Sequence, residues 1–185
     1  MVRIRAMTSE EYRAKHESFK IIYGFHPTFC GNCLLGVTDS DKTVVYLAFV
    51  DKSQEKALAE LKNDWPLSEL TKDNMFETEE IVRNIFSPRG LVGDHITVLL
   101  LGTEFQIKVW RSLLSIPVAT TVTYEQVASM IDHPKAARAV GNAVMKNKIA
   151  YLIPCHRVKG KSGSNKYKWG TDRKENILMS ESNHL

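Results

Sequence analysis

The sequence predicts an α+β fold in two parts, and three observations carry that prediction. The first hundred residues alternate short apolar runs with turn residues and then give two helical stretches. The remainder opens on two consecutive capping boxes, each of which marks the start of a short helix. Charge divides the same way: residues 1–102 hold 12 Lys and Arg against 15 Asp and Glu, a net of −3, whereas residues 103–185 hold 13 against 6, a net of +7. An α+β auxiliary domain is therefore expected over residues 1–98 and a basic domain over residues 99–185.

Taken in order, extended runs are expected near Phe19 to Tyr23, Cys33 to Val37 and Thr43 to Val50, with Asp39-Ser40-Asp41-Lys42 as a hairpin turn. Ser53 to Lys62 places Ala57, Leu58 and Leu61 at helical spacing, and Phe76, Ile81, Val82 and Ile85 suggest a second helix. Ser87-Pro88-Arg89-Gly90 ends it and begins a linker. Cys30-Gly31-Asn32-Cys33 has the spacing of redox and zinc motifs, and His26 or His16 could add a ligand. No second ligand pair lies downstream and the chain continues as a strand, so two structural thiols are the preferred reading and no metal is expected.

In the basic part, Thr103-Glu104-Phe105-Gln106 is a capping box, followed by Phe105, Val109 and Leu113 at spacing four and ended by Ile116-Pro117. A second box, Thr123-Tyr124-Glu125-Gln126, opens a short helix through Val127, Ala128 and Ile131. After a turn at Asp132-His133, Pro134 is expected at the first position of a further helix running toward Lys146, with Ala136, Ala139, Val140 and Ala143 on one side. Two short helices and a tight turn form a helix-turn-helix candidate, and Arg138 projects where a groove-contacting side chain would sit. In the last helix Asp172 is expected as N-cap, and Lys174, Ile177, Leu178 and Glu181 share one stripe.

At 185 residues with 43% hydrophobic content the chain can bury a core. Its longest apolar run, Ile96 to Leu101, is far short of the roughly 18 residues a membrane helix needs. The first residues lack the apolar core of a secretory signal, and three cysteines make no disulfide framework, so an intracellular protein is expected. The clustered basic charge suggests a phosphate-bearing partner, because binding there releases counterions.

Chemistry concentrates in Pro154-Cys155-His156-Arg157-Val158, which follows the strand-like run Tyr151-Leu152-Ile153. A thiolate is the nucleophilic form of cysteine, and a neighbouring imidazole can lower its pKa. Glu181, on an apolar stripe, needs a partner if it is buried and could then orient His156 in a Cys-His-Glu relay; the alternative reading is a surface glutamate near a fraying terminus.

Gly102-Thr103-Glu104-Phe105-Gln106, Val109-Trp110, Ile116-Pro117, Thr123-Tyr124, Pro134-Lys135-Ala136-Ala137-Arg138-Ala139-Val140-Gly141, Asn147 and the pentapeptide at 154–158 together resemble the O6-alkylguanine-DNA alkyltransferases, densely over residues 102–181. The resemblance implies a ribonuclease-H-like N-terminal domain and a winged-helix-like DNA-binding C-terminal domain. It implies direct reversal of DNA damage: the alkyl group on guanine O6 passes irreversibly to Cys155, once per protein, with the damaged nucleotide flipped out of the duplex. By the same resemblance His156 acts as the base through a water, Glu181 orients it, and Arg138 fills the place of the flipped base. Ala136 and Ala137 lie in the DNA-binding stretch, Tyr124 contacts the base and its phosphate, and Asn147 is a hinge residue. Val158, Tyr167, Lys168 and Trp169 form the substrate pocket, with Lys174 assisting the chemistry at O6. The implied partner is double-stranded DNA carrying O6-alkylguanine, bound by a monomer without cofactor or membrane, in the nucleus of a eukaryote or the cytoplasm of a prokaryote.

Three departures from the family pattern stand out. Val118-Ala119 occupies the place of a glycine after the Ile-Pro turn, Lys166 replaces the glycine before Tyr167, and Val144 and Ala150 replace commoner pocket residues. The same Cys155 and His156 could serve a cysteine hydrolase, and Arg138 with Tyr124 could serve a non-catalytic lesion sensor. The helix-turn-helix disfavours the first and the retained thiol disfavours the second.

Overall fold

The computed structural model describes residues 1–15, 19–51, 53–87, 95–161, 163 and 165–183, and divides into two compact units, Met1–Gly102 and Thr103–Leu185. The division falls four residues after the expected boundary because Ile96–Leu101 is a strand of the first unit. Pro88 to Gly90, most of the expected linker, and His16 lie outside the described residues.

The first unit is built on a six-stranded mixed sheet. In chain order it comprises β1 (Val2–Met7), α1 (Ser9–Lys15), β2 (Lys20–Thr28), β3 (Gly31–Thr38), β4 (Val44–Phe49), α2 (Gln54–Asp64), β5 (Glu69–Lys72), α3 (Glu77–Ile85) and β6 (Ile96–Leu101), with strand order β1-β6-β4-β3-β2-β5. Strands β2, β3 and β4 form an antiparallel meander. The expected turn at Asp39–Lys42 closes its second hairpin, where the Thr38 and Thr43 backbones pair and the Asp41 carboxylate accepts from the Thr38 hydroxyl. All six residues of β4 are buried, as they must be in a strand covered on both faces. That burial hides the period-two alternation from which strands are read. β4 is still legible because a hairpin turn precedes it, whereas β6, another near-continuous apolar run, pairs in parallel with β1 and has no adjoining turn to mark it.

Ser53 caps α2, its hydroxyl accepting from the Lys56 amide. On the other helix, Gly24 lets α3 approach β2, since a Cβ there would overlap the Thr78 hydroxyl. Cys30 lies in the β2–β3 turn and Cys33 is fully buried in β3, where burial pushes its thiol up to about 12. Cys33 is therefore not held as a reactive thiolate, which fits a structural thiol. No helix among the described residues is long and apolar enough to cross a membrane.

The second unit is helical. α4 (Glu104–Leu113) starts with both halves of its capping box formed: Gln106 N–H donates to the Thr103 hydroxyl at 3.3 Å and Thr103 N–H to the Gln106 side chain at 3.0 Å. Thr123 and Gln126 do the same for α5 (Tyr124–Met130), at 3.2 and 2.7 Å. The Trp110 indole donates to the Ala143 carbonyl at 2.9 Å, locking α4 to α6 (Ala137–Met145). A parallel ribbon of β7 (Val122–Thr123) and β8 (Val158–Lys159), and α7 (Thr171–Asn183), complete the unit.

Two helix starts differ from expectation. Pro134 sits in a turn closed by Ala136 N–H on the His133 carbonyl at 2.8 Å, so α6 begins at Ala137, three residues later. Its buried face is Val140, Ala143 and Val144, whereas Ala139 is exposed. α7 begins at Thr171, so Asp172 lies in the first turn, where its charge complements the helix dipole, and is not the cap.

Candidate active site

Cys155, His156 and Arg157 form a single 3-10 turn between a compact loop and β8. The expected strand at Tyr151–Ile153 is replaced by turns, and the reason is Asn147. Its buried side chain takes over the pairing that a neighbouring strand would supply: Nδ2 donates to the carbonyls of Ile149 (3.1 Å) and Ile153 (3.2 Å), and Oδ1 accepts from Ile149 N–H at 2.9 Å. The remaining groups bond locally, Leu152 N–H to Ala150 and Cys155 N–H to Ile153. This coil directs the thiol inward, where it is 4% exposed and accepts from Asn147 Nδ2 at 3.2 Å.

Burial pushes the Cys155 thiol up, outweighing the Asn147 hydrogen bond and the Lys168 and Lys174 charges that favour thiolate. The expectation of a thiol acidified by its neighbour is thus corrected: removal from water dominates, and the resting sulfur is protonated. His156, fully buried, is likewise held neutral chiefly by desolvation, against the pull of Glu181. Its Nε2 lies 2.8 Å from Glu181 Oε1. With a carboxylate accepting there, Nε2 carries the proton and Nδ1 keeps its lone pair. Nδ1 is buried with no hydrogen-bond partner among the described residues, which makes it the basic nitrogen on offer.

Glu181 is held well below the usual carboxylate range, at about 2. Its own burial raises it, but the hydrogen bonds from His156, Arg157 and Ala119 together prevail. Arg157 was not singled out from the sequence although it sits inside the pentapeptide. It donates to both Glu181 oxygens (2.7–3.2 Å) and to the Ile116 carbonyl at 2.7 Å. Ala119 N–H donates to Glu181 Oε2 at 2.9 Å, so one carboxylate fastens α7 to the Ile116–Ala119 loop and the cysteine turn. Ala119 pays for that contact with φ +57°, at the position where the family pattern has glycine. Ala119→Gly is expected to stabilise the protein by about 0.5–1 kcal/mol, the left-handed strain relieved less the entropy of a more flexible unfolded chain. A rise in urea midpoint at unchanged m-value checks it.

The structure brings most sequence-predicted residues to this centre. Lys174 is fully buried, donates to the Val158 carbonyl at 2.6 Å, and is shifted down by desolvation while Cys155 opposes that shift. Lys168 Nζ donates to the Asn147 carbonyl at 3.1 Å and lies 5.0 Å from the centre of the Trp169 ring. Tyr167 stands edge-on to both His156 and Trp169. Tyr124, half-buried at the start of α5, has its hydroxyl shifted up by burial and by the neighbouring Cys155. Arg138, Ala136 and Ala137 are elsewhere, around the N-terminus of α6, with Arg138 exposed.

Known proteins resemble this chain in sequence and in fold. The model for the 6-O-methylguanine DNA methyltransferase DNA-binding domain matches residues 104–183. The methylated-DNA–protein-cysteine methyltransferase of Methanosarcina mazei is 39% identical over 146 residues, covering 78% of this chain and 88% of that protein. The bifunctional transcriptional activator/DNA repair enzyme Ada of Escherichia coli is 34% identical over 95% of this chain and 49% of its own length, and the match to the Kluyveromyces lactis methyltransferase covers 44% of that protein. The chain thus spans about half the length of these two relatives. The crystal structure of the Mycobacterium tuberculosis O6-methylguanine methyltransferase superposes with a TM-score of 0.69 at 28% identity, over 89% of this chain and 94% of that one. A structure of the same enzyme in complex with DNA gives 0.66. With 88% of the M. mazei relative matched at 39% identity, and residues 104–183 matched by the family's DNA-binding-domain model, the chain belongs to the methylated-DNA–protein-cysteine methyltransferase family.

Proposed function

We propose that this protein repairs DNA by direct reversal, moving the alkyl group from guanine O6 to Cys155 Sγ in a single irreversible turnover. The observation that carries this reading is the buried Cys155–His156–Glu181 arrangement, in which the carboxylate holds Nε2 and leaves Nδ1 basic. The thiol proton passes to Nδ1, directly or through one water. Sulfur then attacks the alkyl carbon as the carbon–oxygen bond breaks, and its electron pair leaves with guanine. A hydroxyl at the base, that of Tyr124, donates a hydrogen bond to the departing purine. The thioether product has no leaving group that water could displace, so each chain acts once.

A thiol this deeply buried cannot reach a stacked base, so the lesion is flipped out at an unpairing cost of a few kcal/mol. In this reading Arg138 occupies the vacated place in the stack, Ala136 and Ala137 let α6 approach the DNA backbone, and Asn147 is the hinge between α6 and the cysteine turn. Val158, Tyr167, Lys168 and Trp169 line the base pocket, with Lys174 offsetting negative charge that develops there. The DNA-bound structure of the M. tuberculosis relative and the net charge of +7 over residues 103–185 support DNA as partner. The reading extends to a monomer acting on double-stranded DNA inside the cell, which the three free thiols favour. It also takes the first unit as ribonuclease-H-like, on the meander with β5 added in parallel to β2, and the second as winged-helix-like, on the α5–α6 pair beside its ribbon.

Incubation with excess duplex containing one O6-methylguanine, followed by peptide mass spectrometry, tests the reading. One methyl on the Cys155 peptide, saturating at one per chain, is expected; turnover beyond one, or lesion binding without transfer, would overturn it. Arg138→Ala is expected to slow transfer from duplex by roughly 5- to 150-fold, the worth of about 1–3 kcal/mol of lost stacking. The same single-turnover assay on a single-stranded substrate should show a smaller loss.

A further inference from the structure

Tyr151 lies four residues before the thiol with φ +64°, a left-handed conformation that a bulky aromatic residue rarely adopts. Its surroundings over-determine that conformation: Asn147 clamps Ile149 and Ile153 on either side, and Leu152 N–H bonds to Ala150 at 2.6 Å. The outcome is a placement. The phenol ring lies within 20° of parallel to the His156 imidazole at a centroid distance of 6.2 Å, while Tyr167 closes another side edge-on at 6.5 Å and 89°. Glu181 fixes one nitrogen of the imidazole but leaves rotation about that bond to be restrained by something else.

We propose that Tyr151 is a positioning residue for the transfer reaction: its ring sets the plane of the His156 imidazole, and its π face favours the imidazolium formed when the thiol proton reaches Nδ1. The inference rests on the alkyl-transfer reading. Charge around the imidazole is otherwise divided. Glu181 from α7 favours its protonation, whereas Arg157 beside it and Lys174 from α7 oppose it; Cys155 precedes it in the chain and the Tyr151 and Tyr167 phenols flank its ring. An aromatic face adds to the favourable side without adding a full charge.

The test compares wild type with Tyr151→Phe, Tyr151→Leu and Tyr151→Gly, the last relieving the backbone strain so that a folded variant without the ring is secured. At saturating duplex, Phe should stay within about 2-fold of wild type, and Leu and Gly should transfer about 3- to 10-fold more slowly with unchanged lesion affinity. The acid limb of the rate profile should move to lower pH in the Leu variant. Imidazole nitrogen NMR supplies a readout independent of DNA, in which His156 should take up its proton at lower pH in Tyr151→Leu than in wild type. A Leu variant with wild-type rate and unchanged His156 titration would overturn the proposal. Absence of transfer by wild type would sink the alkyl-transfer reading instead, with the NMR titration still deciding whether the ring acts on the imidazole.

Discussion

Cys155→Ser is expected to abolish alkyl transfer, with a single-turnover rate at least about 10³-fold below wild type, while binding of lesion-containing duplex changes little. The change replaces sulfur by oxygen and keeps a group of similar size in a pocket where the side chain is 4% exposed. Asn147 Nδ2, 3.2 Å from Sγ in the wild type, retains an acceptor, so the turn should not collapse. What is lost is nucleophilicity. Burial already raises the thiol, and the same desolvation acting on a far less acidic hydroxyl leaves no accessible oxyanion for Nδ1 to generate. Arg138 and the rest of α6 are untouched, so fluorescence-detected binding to an O6-methylguanine duplex should match wild type. Transfer retained by the serine variant would move the acceptor elsewhere; loss of both binding and transfer would show that the cysteine turn had unfolded. A lesion sensor would notice the substitution little, and a hydrolase would show turnover in the wild type.

How far the sequence could be read depended on whether a signal was local. The capping boxes at Thr103 and Thr123 were legible because both partners lie within four residues and need no tertiary context. The Asp39–Lys42 hairpin was legible for the same reason. Strand β6 was not: unlike the equally apolar β4, which follows that hairpin turn, it pairs in parallel with the distant β1 and no local turn marks it. The misread run at Tyr151–Ile153 is more instructive: apolar and β-prone, it coils because Asn147 supplies side-chain partners to its backbone, a non-local choice invisible to propensity. At the site, Cys155 and His156 stand together in the motif, the stripe on the last helix offered Glu181 as a candidate, and the family resemblance joined it to the histidine. Arg157 could not be joined to them, since only the structure shows that one carboxylate serves the histidine, the arginine and the Ala119 amide together. A charged residue left without a role inside a reactive pentapeptide was the signal available.

That shared carboxylate makes Glu181 the largest expected stability effect. Glu181→Ala should cost about 3–5 kcal/mol, because it strands the Arg157 guanidinium, 13% exposed at its side chain, opposite an emptied cavity and removes the acceptor of a buried imidazole. At about 2–4 °C per kcal/mol for a chain of this size, a melting temperature lower by roughly 10 °C is expected in calorimetry. Glu181→Gln preserves the volume and isolates the charge. In the wild type the folded carboxyl titrates at about 2, below the 4.5 of an unperturbed glutamate. Its contribution is therefore complete above about pH 4.5 and is lost as pH falls from there toward 2, amounting to roughly 3 kcal/mol over the window. His156 adds in the same direction. Held neutral when folded, it lets the unfolded chain take a proton that the native state refuses, so stability also declines as pH drops below 6.5. Urea unfolding from pH 7 to 2.5 should show both slopes in the wild type, whereas Glu181→Gln should lose the lower one and keep the upper. A Gln variant whose acid slope between pH 4.5 and 2.5 matches wild type would remove Glu181 from this role. Transfer should fall too, by roughly 10²-fold, since an amide no longer selects the tautomer that leaves Nδ1 basic.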